Sequence, residues 1–116
     1  MTEAAEKYFS RLYPGGEFKL ASTDPEFAEF FANFSCDEVV NQDDLDDRTR
    51  MMAILATLLG CQGIDEFKEV LPGALNLGLT PVEIKEIVYQ ACAYLGIGRV
   101  RPFFDAVNEV LTEKGI

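Results

Sequence analysis

An all-α fold of about six helices is what this sequence predicts, and three observations carry the prediction. Apolar residues recur at helical spacing along most of the chain: Ile84, Ile87, Val88, Ala91, Cys92 and Leu95 fall at i, i+3, i+4, i+7, i+8 and i+11. Helix ends are written out around the same stripe. Thr80 is a natural N-cap, Pro81 fits the first helical position, Glu83 completes a T-x-x-E capping box, and Gly96 supplies a stop. The third observation is negative: the period-two alternation of a half-buried strand persists nowhere.

The elements follow in order. Residues 3–13 read as a first helix with Ala5, Tyr8, Phe9 and Leu12 on one side, ended by Pro14-Gly15-Gly16. A loop runs to Asp24, where a capping side chain, Pro25 and Glu26 open a second helix. Its stripe of Phe27, Phe30, Phe31 and Phe34 is expected in the core, because aromatic rings carry the most burial area. Residues 35–41 read as a short helix or a turn. The third helix spans about residues 46–59 and ends in MMAILATLL, which has no charged face, so it is expected to be buried all round, at the centre of the domain or in a subunit interface.

Gly60-Cys61-Gln62-Gly63 breaks that helix. A fourth follows, with Ile64, Phe67, Leu71, Ala74 and Leu75 inward; Pro72 is expected to interrupt and bend it, since proline has no amide to give the Lys68 carbonyl. Gly78 ends it, and the capped helix is the fifth. The sixth is expected from near Gly98, with Pro102 close to its start and Phe103, Phe104, Val107, Val110 and Leu111 inward.

Composition narrows the function. The chain has 116 residues, 48% of them hydrophobic, which suits one domain over residues 1–116 with a real core. Twenty acidic against ten basic residues give a net charge of −10, so nucleic acid and anionic membrane surfaces are repelled as partners. The longest apolar run, residues 51–59, is about half of the ~20 residues that span a bilayer. The opening MTEAAEKYFSRLY lacks the basic-then-apolar layout of a secretion signal, and a cytoplasmic location is expected. Homo-oligomerisation is expected too, from so apolar a run in so small a chain.

Candidate functional residues are few. No histidine occurs, which removes the commonest general base and the commonest metal ligand. Three cysteines, Cys36, Cys61 and Cys92, form neither a disulfide framework nor a zinc set, and no metal or cofactor is expected. The acidic run Asp43-Asp44-Leu45-Asp46-Asp47 reads as a helix N-terminus, where the dipole favours negative charge, rather than as a calcium loop. Arg50 is either one half of a structural ion pair or a cation facing a ligand. Cys61 is either a reactive thiol or an ordinary packed one; the negative end of the preceding helix favours thiol over thiolate. Cys92 sits in the apolar stripe and reads as core, and Cys36, beside the acidic turn, is expected to be exposed, with no role assigned.

Two segments together resemble the carboxymuconolactone decarboxylase family, whose fold is shared with alkylhydroperoxidase-D-like proteins. One is Leu45-Asp46-Asp47-Arg48-Thr49-Arg50 leading into Ile54-Leu55-Ala56; the other is Ala74-Leu75-Asn76, Gly78, Thr80, Glu83-Ile84-Lys85-Glu86, Tyr94, Gly96 and Val100. The resemblance covers about residues 43–112. It implies a small helical protein that assembles as a trimer or hexamer, with sites near subunit contacts. Counting back from Gly78, the histidine position of the family falls at Val70. The paired cysteines of the peroxidase-like branch fall at Gly63 and Glu66, and its upstream glutamate at Met51. Glu66 matches the glutamate common in the decarboxylase branch. The resemblance therefore implies an enzyme acting on a small carboxylated substrate, with Glu66 or Glu69 moving a proton, Arg50 pairing the carboxylate and Tyr94 donating a hydrogen bond. Thiol-dependent peroxide reduction through Cys61, and a catalytically silent oligomer that binds a small molecule, are the alternatives.

Overall fold

Six α-helices form in chain order: α1 (Glu3–Leu12), α2 (Pro25–Asn33), α3 (Asp47–Gly60), α4 (Ile64–Asn76), α5 (Pro81–Leu95) and α6 (Ile97–Glu113). A 3-10 turn at Lys19–Ser22 and a π turn at Phe34–Glu38 complete the elements, and there is no strand. The computed structural model describes residues 1–116. The all-α class read from the sequence is the class found. No helix is long and apolar enough to cross a membrane. The chain divides into two compact units, Met1–Leu45 and Asp46–Ile116.

In the first unit Thr2 starts α1: its hydroxyl accepts the Ala5 amide at 3.1 Å and donates to the Asp37 carboxylate at 2.8 Å, while its amide donates to Asn33 at 2.8 Å. Ala5, Tyr8, Phe9 and Leu12 are buried, as their spacing requires. The ambiguous segment after α2 is the π turn, entered without a break. The phenylalanine stripe of α2 is where the expectation fails. Phe27, Phe30, Phe31 and Phe34 are 58%, 72%, 42% and 57% exposed, and the buried side of α2 is Ala28 and Ala32 instead. Two small side chains one turn apart let the helix backbone approach its neighbours closely, and the bulky rings are left on the other side. Two of those rings join a chain of ring contacts that reaches α1: Phe9–Phe18, Phe18–Phe31 and Phe27–Phe31 have centroids 5.8, 5.9 and 6.2 Å apart. Cys36, expected to be exposed, is buried.

In the second unit α3 and α6 each pack against both α4 and α5. Met51, Leu55 and Leu59 of α3, Phe67 and Leu71 of α4, Ile84 and Val88 of α5, and Val100, Phe103 and Val107 of α6 form the core. Phe67 and Phe103 meet edge to face at 4.9 Å and 86°. Within one chain α3 is not buried all round, so of the two expected settings it does not have that of a helix enclosed at the domain centre. Its buried residues lie on one seam at i, i+4 and i+8, while Ala53, Ala56 and Thr57 are exposed and Met52, Ile54 and Leu58 half-buried. One chain supplies neighbours for only that seam. The α5 stripe is likewise covered only at Ile84 and Val88; Ile87, Ala91, Cys92 and Leu95 are half-buried, so Cys92 is not a core residue.

The helix ends follow backbone chemistry. After α3 the Gly63 amide bonds the Leu58 carbonyl at 2.8 Å and the Gln62 amide bonds that of Leu59 at 3.1 Å. Gln62 takes the left-handed position of this Schellman cap, at φ 61°, where glycine is usual. The same closure after α4 uses Gly78 at φ 105°. Two prolines depart from expectation. Helix α4 runs through Pro72 rather than being interrupted by it. Helix α6 begins at Ile97, so Pro102 lies beyond the first turn and deprives the Gly98 carbonyl of its helical donor.

Candidate functional site

The run Leu45-Asp46-Asp47-Arg48-Thr49-Arg50 resolves into a helix start and two ties. Asp46 caps α3, accepting the Thr49 amide at 2.8 Å and the Thr49 hydroxyl at 3.0 Å. The Thr49 amide, then its hydroxyl, hold the Asp46 carboxyl below the usual aspartate range, with Arg48 adding to the effect. Arg50 donates to Asp47 at 2.8 Å with its side chain only 13% exposed, so of its two readings the ion pair is the one realised within the chain. Arg48 reaches across to the α4–α5 turn, where it donates to the Gly78 carbonyl and to the Glu83 carboxylate.

Glu83 is in turn half of the capping box read from the sequence. Its carboxylate accepts the Thr80 amide at 2.9 Å, and its own amide donates to the Thr80 hydroxyl at 3.1 Å. The Thr80 amide, with Arg48 in support, holds the Glu83 carboxyl below the usual glutamate range. Four positions that carry the family resemblance, Arg48, Gly78, Thr80 and Glu83, are thus one hydrogen-bonded network joining the start of α3 to the start of α5. Sequence reasoning found the capping box but missed Arg48. Nothing in local spacing links position 48 to positions 30 and 35 residues away.

The proton-moving and thiol candidates are exposed. Glu66 lies in the first turn of α4 and Glu69 one turn on, both exposed. Cys61 is the exposed C-cap of α3, its thiol donating to the Leu58 carbonyl at 3.6 Å. Tyr94, near the end of α5, is 89% exposed. Burial pushes the Cys36 thiol up, against a weaker contribution from the Ser35 hydroxyl 3.7 Å away. An open groove of about 710 Å³ lies at the α4–α5 turn, lined by Leu75, Asn76, Gly78, Leu79, Thr80, Pro81, Lys114 and Ile116, and holds none of the five candidates. No group of three or more Cys, Asp or Glu is placed to hold a metal ion.

Comparison with known proteins adds two findings. The family model of the carboxymuconolactone decarboxylase family matches residues 25–109, beginning upstream of the segments that carry the resemblance. The chain is also 29% identical over 91 residues to 4-carboxymuconolactone decarboxylase of Acinetobacter baylyi, covering 78% of this chain and 68% of that one.

Proposed function

We propose a function from one premise: the chain belongs to the carboxymuconolactone decarboxylase family. It acts on a small carboxylated substrate in a decarboxylase-like, lyase reaction, as a homo-oligomer. In such a reaction the bond to the carboxylate carbon breaks, carbon dioxide leaves, and the electron pair stays on the neighbouring carbon. A conjugated carbonyl delocalises that pair, and a proton must then be delivered. Arg50 orients the substrate carboxylate in competition with Asp47. Glu66, or Glu69 one turn on, delivers the proton, and Tyr94 hydrogen-bonds the carbonyl that takes the charge.

The observation that carries this reading is the similarity to 4-carboxymuconolactone decarboxylase over 91 residues; the choice of Glu66 rests on the sequence resemblance, which matches it to the glutamate common in the decarboxylase branch. The exposure of Glu66, Glu69 and Tyr94 on one chain suits a cleft completed by a second copy. Carbon dioxide release from a panel of unsaturated lactone acids tests it. Turnover is expected, falling at least a hundredfold in Glu66→Gln with mass and melting unchanged. No turnover by the natural chain overturns the reading, and undiminished turnover in Glu66→Gln removes Glu66 from the chemistry.

A second reading, a catalytically silent binding or assembly module, is favoured by the absence of any imidazole. It requires saturable binding of the same acids without turnover. The thiol route through Cys61 has less support, because the chain has no histidine to act as its base and Cys61 stands without a paired cysteine. Hydroperoxide consumption matched by loss of the Cys61 thiol would favour it over both.

A further inference from the structure

We propose that the phenylalanine face of α2 docks on a second copy of this chain, at the corner where α5 turns into α6. This rests on the homo-oligomer stated above and adds which surfaces meet. Phe27, Phe30, Phe31 and Phe34 leave in water the equivalent of about two whole rings, on the order of 400 Å² at 150–250 Å² per ring. That is about half of the ~800 Å² each partner contributes to a stable interface. The face is also preorganised. Phe31 stacks on both Phe18 and Phe27, so Phe27 and Phe31, two rings of the face, have less side-chain freedom to lose on docking.

Charge selects the partner surface. The unit Met1–Leu45 carries ten acidic against three basic residues, and Glu26 lies one turn before Phe30 on the same side of α2. An apolar face with an acidic rim calls for an apolar surface with a basic one. The α5–α6 corner has both. Ile97 is an exposed apolar group there, and Arg99 and Arg101 are exposed in the first turns of α6. No acid occupies the first turn of α6, whose positive dipole end adds to the two arginines. Ile97 and Arg101 are one turn apart, as Glu26 and Phe30 are, so an apolar and a charged group can meet in register. The contact is heterologous, α2 of one copy on the corner of the next, and an oligomer of defined mass requires that its rotation close a ring.

Sedimentation of the full chain at micromolar concentration tests the proposal. The natural chain is expected as a closed oligomer. Phe30→Ala is expected to weaken association at least tenfold while helical content and melting at high dilution stay unchanged. Glu26→Arg and Arg101→Glu should each weaken it, and the two together should restore it. An oligomer indifferent to Phe30→Ala, or charge variants that do not restore one another, overturns the α2 docking while leaving the oligomer itself intact. A natural chain that stays monomeric, with α2 covered by something else or by nothing, overturns both. Turnover by that monomer would still support the decarboxylase-like chemistry.

Discussion

Replacing Phe67 with alanine measures how much of the fold the second unit's core supplies. Phe67 is fully buried and meets Phe103 edge to face at 4.9 Å. Removing a buried ring forfeits about 1.5–3 kcal/mol of transfer free energy. The lost aromatic pair adds about 0.5–1.5 kcal/mol, and incomplete collapse of the cavity brings the whole to roughly 3–5 kcal/mol. A chain this size is stable by on the order of 5–15 kcal/mol, so the loss is a large share. With a urea slope of about 2 kcal/mol per molar, the midpoint should fall by about 2 M. The assay is urea unfolding followed by far-ultraviolet circular dichroism at high dilution. Phe30→Ala is the matched control: the same ring is removed from a site 72% exposed, and the change should stay within about 0.5 kcal/mol. A Phe67→Ala loss below 1 kcal/mol, or an equal loss in Phe30→Ala, would refute the division between buried and exposed rings.

Other perturbations have equally definite outcomes. Thr80→Ala removes the hydroxyl that caps α5 and should cost about 1 kcal/mol by the same unfolding assay. Gln62→Gly relieves a left-handed backbone at φ 61° and should raise stability by about 0.5–1 kcal/mol. Asp46 and Glu83 both titrate lower in the folded chain than in the unfolded one. Their contribution is therefore complete above ordinary carboxylate values, about pH 4, and is lost as pH falls through the lowered folded values. Acid titration of the unfolding midpoint should show that loss, and Arg48→Met should shrink the part due to Glu83.

The fold was legible where local chemistry dictates it. The cap at Thr80, the stop at Gly96 and the buried seams of α1 and α6 follow from residue type and spacing alone. What escaped was coverage. A periodic apolar stripe announces a face but not its neighbour, so the α2 phenylalanines and the far sides of α3 and α5 read as core although one chain does not cover them. Burial of Cys36 escaped for the opposite reason: a polar stretch around it hid a turn folded against α1. Of the site, the ion pair of Arg50 was legible as one of two alternatives, and its acid proves to lie only three residues away. Arg48 was not, because its partners come from another helix and from a loop carbonyl.

The tie from Arg48 to Gly78 and Glu83 bears on how relatives of this protein are recognised. In this chain those positions clamp two helix starts together with valine, and no imidazole, at position 70. A signature weighted on the clamp retrieves scaffolds, and two proteins sharing it need share no reaction. Sorting such relatives by chemistry therefore calls for attention to positions 51, 63, 66 and 70, none of which takes part in the clamp.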